Sequence, residues 1–309
     1  MTAVDLLSRR LLFVTGKGGS GKTSIAVALA RHATSIGKRV LLVEMDDKGS
    51  VAASLGREPL TFEATQVAPG LSAMAMNTED SLREYLRLFV RMPMLTTLGP
   101  LARILDFVAS AAPGVKEILA VGKVCWEVRE RRWDLVIVDA EASGHVVAQV
   151  DAPRSLAALV PVGLIRDQVR WMHELLSDRA TTGVVVTSLA EEIAVTETVA
   201  LLDRLANETS VSVAAVVCNR VPLSVVFESD DADFKALLAR VRSGGAPESI
   251  VAPVELVAIA AERRTRAMAH LRRVLERSSR VPAPVIVLPE VRTGGVVDRL
   301  ADDLAGELS

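Results

Sequence analysis

The sequence predicts an α/β protein built on a mostly parallel, doubly wound sheet with a small helical insertion. Three observations carry this reading. Short apolar runs recur along the 309-residue chain and alternate with stretches of helical spacing. That is the pattern of strands buried on both faces and covered by crossover helices. The first run, Leu11-Leu12-Phe13-Val14-Thr15, meets a Gly-rich turn and then a helix. From about Asn77 to Lys123 the alternation stops and helical spacing takes over.

The elements follow in order. Leu11 to Thr15 is the first buried strand, and Ile25 to Ala33 read as the helix after the turn. Arg39 to Val43 is a second strand. Val67-Ala68-Pro69-Gly70 marks a turn, and Leu71 to Met76 alternates weakly like a strand. Leu82, Tyr85, Leu86 and Phe89 recur at i, i+3, i+4 and i+7, an amphipathic helix that Pro93 ends. Leu101, Ile104, Leu105 and Val108 repeat the spacing after Pro100. Leu135 to Asp139 is a third strand, and Val184 to Thr187, Val213 to Val217 and Val285 to Leu288 are further ones. Helical stretches lie around 118–131, 167–179, 195–206 and 254–278. There is no internal repeat and no low-complexity linker. The expectation is therefore one domain over residues 1–309, with an insertion at about 77–123.

Composition narrows the function classes. Half the residues are apolar but only 3% are aromatic, so the core is built from Ala, Val and Leu. Charged residues make 24% and the net charge is −2. Nothing global points to nucleic acid or to an anionic membrane. The two cysteines, Cys125 and Cys218, lie far apart and read as small core residues. The start has an acid early and reaches Arg9-Arg10 without an apolar stretch, so no secretory signal is expected. Eleven uncharged residues separate Arg154 from Arg166. A membrane span needs about 20, so no stable membrane insertion and a cytoplasmic location are expected.

Gly16-Lys17-Gly18-Gly19-Ser20-Gly21-Lys22-Thr23 matches G-x-x-x-x-G-K-[ST] in full, between a strand and a helix. Glycines let backbone N–H groups turn toward phosphates. A lysine at position 22 reaches the β- and γ-phosphates, and the Thr23 hydroxyl ligates Mg²⁺. Gly18, Gly19, Ser20, Gly21, Lys22, Thr23 and Ser24 are the expected phosphate contacts. The fold is then a P-loop nucleotide-hydrolase sheet. A magnesium shell also needs an acid at the end of a neighbouring strand. Asp46, after Leu41-Leu42-Val43, and Asp139, after Val136-Ile137-Val138, stand in such places.

The extra lysine in Gly16-Lys17-Gly18-Gly19 resembles the deviant P-loop class. That class holds septum-site and chromosome-partitioning ATPases, the nitrogenase iron protein, the arsenical-pump ATPase and the ATPase that targets tail-anchored proteins. Asp139-Ala140-Glu141-Ala142-Ser143-Gly144-His145 is similar to the D-T-A-P-T-G-H switch of the last two. Pro113-Gly114-Val115-Lys116-Glu117 resembles their P-G-x-x-E, and Met45-Asp46-Asp47-Lys48-Gly49-Ser50 stands where they have T-D-P-A-x-x. Asn219 ends a strand as the adenine-reading Asn does, and Leu288-Pro289-Glu290-Val291 resembles the adenine-side loop. The resemblance covers about residues 10–295.

The resemblance implies a dimeric, magnesium-dependent ATPase that binds ATP and ADP. Lys17 would cross the interface to the partner's phosphates. Asp46 would orient or deprotonate the attacking water. Asp139 would hold Mg²⁺ through water. Gly144 would offer its N–H to the γ-phosphate, Asn219 would hydrogen-bond the adenine edge, and Pro289 would lie in the adenine-side loop. The partner is a second copy or a related ATPase chain. The insertion, with Met92 and Met94 around Pro93, suits a hydrophobic client.

Departures from the family pattern qualify this. Asp47 and Ala142 replace two prolines, which keeps open a hydrolysis-poor scaffold subunit of a heterodimer. An arsenite site needs three thiolates, and this chain has two cysteines. The zinc-binding Cys-x-x-Cys of the eukaryotic targeting ATPases is missing. Seven arginines from Arg263 to Arg280 give a third reading, a DNA-partitioning ATPase. A solvated helix face or partner surface is the plainer account of them, and nucleic acid is not expected as a partner. The C-terminal stretch Val296 to Leu308 is amphipathic but acidic, unlike a membrane-binding basic tail.

Overall fold

A computed structural model describes residues 6–45, 48–77, 79–81, 83–84, 115–159, 164–226, 228–278, 281, 283–291 and 295–308. Eight strands form one sheet: β1 (Leu11–Gly16), β2 (Val40–Glu44), β3 (Thr65–Ala68), β4 (Leu71–Ala75), β5 (Leu135–Asp139), β6 (Thr182–Leu189), β7 (Val213–Val221) and β8 (Val285–Pro289). Their order across the sheet is β3-β4-β2-β5-β1-β6-β7-β8. Every pairing is parallel except β3 with β4. The expected α/β, mostly parallel sheet is present.

The described helices are α1 (Lys22–Ser35), α2 (Ser50–Leu55), α3 (Val115–Arg129), α4 (Ser143–Leu159), α5 (Leu164–Ser177), α6 (Glu192–Glu208), α7 (Asp231–Arg242), α8 (Glu248–Ser278) and α9 (Val296–Leu308). Strand pleating divides them between two cores. Leu11 and Phe13, Leu41 and Val43, and Val136 and Val138 face a core that also holds Val121, Val146, Met172, Leu202 and Leu271. Leu12 and Val14, Val40 and Leu42, and Leu135 and Ile137 face the other, with Ile25, Leu29, Val51 and Leu304. Helices α3 to α6 and α8 thus cover one face. Helices α1, α2 and α9 cover the other. This is why the strands read as unbroken apolar runs.

Phe13 is fully buried in the central strand. Phe13→Ala should cost about 3–5 kcal/mol, a lost transfer energy plus an unfilled cavity. Urea unfolding would show it as a lower midpoint at unchanged slope. A loss below about 1 kcal/mol would mean that the core collapses around the gap.

Some elements exceed the sequence pattern. Strand β3 pairs antiparallel at the sheet edge, with a register shift between Gln66 and Ala68, and only Val67 among its residues is buried. Half-exposed edge strands carry little periodic signal. Of the expected insertion at 77–123, residues 78, 82 and 85–114 lie outside the described residues, and with them Met92, Pro93, Met94, Pro113 and Gly114. Its far end is helix α3, whose Val121, Val124, Cys125 and Val128 are buried in the core. Among the described residues, no helix is long and apolar enough to cross a membrane.

Candidate nucleotide-binding site

Strand β1 lies between β5 and β6. The chain leaves it toward β2 on one side and returns to β6, β7 and β8 on the other. Ligands of open parallel sheets bind at such a reversal, outside the C-terminal strand ends. Gly16 to Thr23 occupies that place.

Local geometry explains the residue types. A Cβ on Gly16 would stand 2.1 Å from the Thr187 carbonyl oxygen, so no side chain fits where β1 meets β6. Gly21 has φ 91 and caps α1, and a Cβ there would stand 2.3 Å from Asn219 Nδ2. Gly18 and Gly19 are exposed, with open space beyond them. Among the described residues, no side chain caps the start of α1, and its first turn holds no acid. Such a terminus presents N–H groups and the positive end of the helix dipole to an anion. Lys22, Thr23 and Ser24 form that first turn.

Two of the three expected metal-site residues, Thr23 and Asp139, are hydrogen-bonded. Thr23 Oγ1 donates to Asp139 Oδ2 at 2.6 Å, and Asp139 is buried. A hydroxyl and a carboxylate together at the phosphate end of the loop are hard oxygen donors that suit Mg²⁺ alongside phosphate and water. The residues therefore fit magnesium. Among the described residues, no group of three His, Cys, Asp or Glu side chains offers a separate metal cage.

Asp46 lies outside the described residues, as does Asp47. Their flanks are described. Glu44 pairs in register with Asp139, and its Oε1 accepts from the N–H groups of Ser50 and Val51 at 2.6 and 3.3 Å. Glu44 thereby caps the start of α2. The segment after β5 is tied as well. Thr15 Oγ1 donates to the Glu141 carbonyl at 3.0 Å, and Gln149 Nε2 donates to Glu141 Oε1 at 3.2 Å. His145 Nδ1 stands 3.6 Å from Glu141 Oε2. Gly144 is the second residue of α4 and is exposed, with nothing near a would-be Cβ. A cavity of about 250 Å³, lined by Met45, Met76, Asn77, Glu117, Glu141 and His145 among others, lies between the ends of β2 and β4 and helices α3 and α4.

On the other side, Asn219 is buried and used twice. Its Nδ2 donates to the Ser20 carbonyl at 3.0 Å, and its Oδ1 accepts from the Arg220 N–H at 2.9 Å. Pro289 ends β8 opposite Val221, two residues beyond Asn219 on β7. Lys17 Nζ pairs with Glu197 Oε1 on α6 at 2.9 Å. A larger cavity, about 430 Å³, lies between the ends of β6 and β7 and helix α8, and no expected nucleotide contact lines it.

The arginine row is largely engaged inside the chain. Arg263 pairs with Glu290, Arg264 donates to the Pro222 carbonyl, and Arg266 pairs with Glu262. Arg273 reaches Thr196, and Arg277 pairs with Asp203. Apart from the Arg266–Glu262 pair, which lies within α8, these contacts tie α8 to α6 and to the ends of β7 and β8. Both cysteines are free and buried. Burial pushes the Cys218 thiol up to about 12 and Cys125 higher still, so neither supplies a thiolate near neutral pH.

Sequence reasoning missed Glu44, Thr187 and Glu197. Thr187 had a signal, a hydroxyl at the end of an apolar strand beside the P-loop strand. Glu197 had none, because its partner is 180 residues away.

Residues 9–162 match the anion-transporting ATPase family. ATPase BagA of Mycobacterium tuberculosis is 29% identical over 68% of this chain and 65% of its own. ATPase get3 of Schizosaccharomyces japonicus is 30% identical over 50% of this chain and 47% of its own. The arsenical pump-driving ATPase of Acidiphilium multivorum is 28% identical over 57% and 33%. The chain thus spans no more than 65% of these relatives' lengths. The matched segment, 9–162, holds the P-loop and the Thr23–Asp139 pair, and by that match this segment belongs to the anion-transporting ATPase family.

Proposed function

We propose that the chain binds ATP with magnesium and hydrolyses it as a conformational switch, paired with a second copy or with a related ATPase chain. The observation that supports this most is the Thr23–Asp139 contact at the uncapped start of α1. It puts a metal-suited oxygen pair beside an anion-suited helix terminus.

In this reading the backbone of Gly18 to Gly21 and the side chains of Lys22, Thr23 and Ser24 hold the phosphates. Asn219 and Pro289, on neighbouring strands, take the adenine side. Thr23 and Asp139 would hold magnesium, which when bound withdraws charge from the phosphate oxygens. Asp46 orients the water and receives its proton as the new O–P bond forms. The bond to the leaving ADP oxygen breaks, and ADP keeps its electron pair. Gly144 donates its N–H to the γ-phosphate. Lys17 leaves its own subunit for the partner's phosphates. A hydrophobic client at the insertion, a single domain over 1–309 and a cytoplasmic location belong to the same proposal. Arsenite does not, because thiolates are lacking.

The test is phosphate release by the full chain with ATP, with and without magnesium. Release should need both. Asp46→Asn should keep ATP affinity within a few-fold and slow release by at least about tenfold, in line with general-base contributions. Equal turnover in the two proteins would move the water to Glu141, which is already held by Thr15 and Gln149. Tight ATP binding without release by the wild type would favour the scaffold-subunit reading instead.

A further inference from the structure

Ser20 is the one residue between Gly18 and Gly21 that has a side chain, and it is buried. Its neighbours Gly19 and Gly21 both have positive φ, 83 and 91. Glycine backbones of this kind are intrinsically free to move. The loop's shape must therefore be imposed from outside, and two strand ends do so.

Thr187 grips the side chain. It lies fully buried in β6, in register with Gly16. Its Oγ1 is 2.6 Å from Ser20 Oγ and 3.0 Å from the Thr15 carbonyl oxygen. Ser20 Oγ in turn donates to the Lys17 carbonyl at 2.8 Å. Two hydroxyl protons fill two of these three contacts at a time, so the Ser20–Thr187 bond forms when either hydroxyl turns from its carbonyl to the other oxygen. Asn219, from β7, grips the backbone of the same residue through the Ser20 carbonyl. Its other amide atom is fixed by Arg220, which sets the direction of the donor.

We infer that Thr187 and Asn219 are positioning residues that hold the P-loop in its phosphate-binding shape by clamping Ser20 from two sides. They act through the loop and touch no phosphate. The inference rests on the phosphate-binding reading of the loop and goes beyond it. A loop ordered in advance loses less freedom on binding, so the clamp contributes affinity for phosphate itself, whatever base is attached. For Asn219 this is a role in addition to adenine contact.

The probe is inorganic tripolyphosphate, which has no base, compared by calorimetry with ATP and GTP on the full chain. Thr187→Val keeps the shape and loses the hydroxyl. It should weaken tripolyphosphate, ATP and GTP by about the same factor, roughly tenfold, the scale of one buried hydrogen bond. Thr187→Ser should restore binding to within about threefold, since the hydroxyl returns. Asn219→Ala should likewise weaken tripolyphosphate. Ser20→Ala combined with Thr187→Val should cost less than the two separate factors multiplied, because they cut one contact.

Wild-type affinity for tripolyphosphate in Thr187→Val overturns the clamp, even if that variant melts earlier. A loss for Asn219→Ala confined to ATP, with tripolyphosphate unchanged, leaves it an adenine contact only. Should Thr187→Val not fold, Ser20→Ala carries the same test from the other end of the contact. If the wild type ignores tripolyphosphate altogether, the P-loop reading falls and the clamp with it.

Discussion

Lys22→Ala should remove ATP binding, or weaken it by at least about a hundredfold. Lys22 is the first residue of α1 and lies in the turn that no side chain caps. The helix terminus contributes only partial charges there, about half an elementary charge in sum. A triphosphate carries several full charges in a site partly removed from water. A lysine that pairs with both the β- and γ-phosphates supplies most of the opposing charge, and each charge-assisted hydrogen bond is worth about 1.5–3 kcal/mol. Removing both at once gives the hundredfold figure or more, since about 1.4 kcal/mol is a factor of ten. Alanine is the best helix former, so α1 should persist and the thermal midpoint of the nucleotide-free chain should change little. Calorimetry decides the matter. Unchanged affinity for ATP would remove the phosphate site from Gly16–Thr23 altogether, and tripolyphosphate binding would then have to be sought elsewhere.

The parts of this protein that can be read in the sequence are those fixed by local rules. The central strands are legible because both faces are buried, so Leu11 to Val14 and Leu135 to Val138 are apolar without a break. The P-loop is legible because its glycines answer steric demands that any residue with a Cβ would violate, as at Gly16 and Gly21. The Thr23–Asp139 pair is legible because parallel strands place their C-terminal acids in one row, and β1 and β5 are adjacent. The interactions around that frame are not legible. Glu44 lies just past the strand read as Arg39 to Val43, and only the fold shows its carboxylate capping α2. The arginines of α8 read as a charged surface, yet their partners Thr196, Asp203, Pro222 and Glu290 come from three separate elements or loops. Such pairs have large sequence separations, and no periodicity announces them.

The clearest case of this kind is Lys17. The resemblance assigns its ammonium to the phosphates of another subunit, whereas within the single chain it pairs with Glu197. Magnitudes show how the two states are related. Both side chains are partly exposed, 34% and 45%, and an exposed pair is worth about 0–1 kcal/mol and weakens with salt. On the proposed dimeric reading, a triphosphate held across an interface would offer a denser charge in drier surroundings and would displace the glutamate. Glu197 would then be a resting place for Lys17, and ATP should favour the paired state more than ADP, because the γ-phosphate adds charge where the lysine would arrive. By linkage, whatever tightens the dimer through the phosphates also tightens the phosphates through the dimer. Lys17→Ala is therefore expected to leave the affinity of a single subunit for ATP within a few-fold. It should abolish the ATP-dependent gain in association and lower turnover by about a hundredfold or more, as removal of a charge-stabilising group from phosphoryl transfer does. Glu197→Gln should act in the opposite sense and modestly. It frees the lysine, so the dimer should tighten by no more than about fivefold, with the difference shrinking as salt rises. Sedimentation of wild type and both variants, with a slowly hydrolysed ATP analogue and with ADP, measures all of this. If the wild type associates no more tightly with the analogue than with ADP, alone and mixed with a related ATPase chain, Lys17 has no partner phosphate to reach. Its contact with Glu197 would then be its whole role, and Lys17→Ala would leave turnover unchanged.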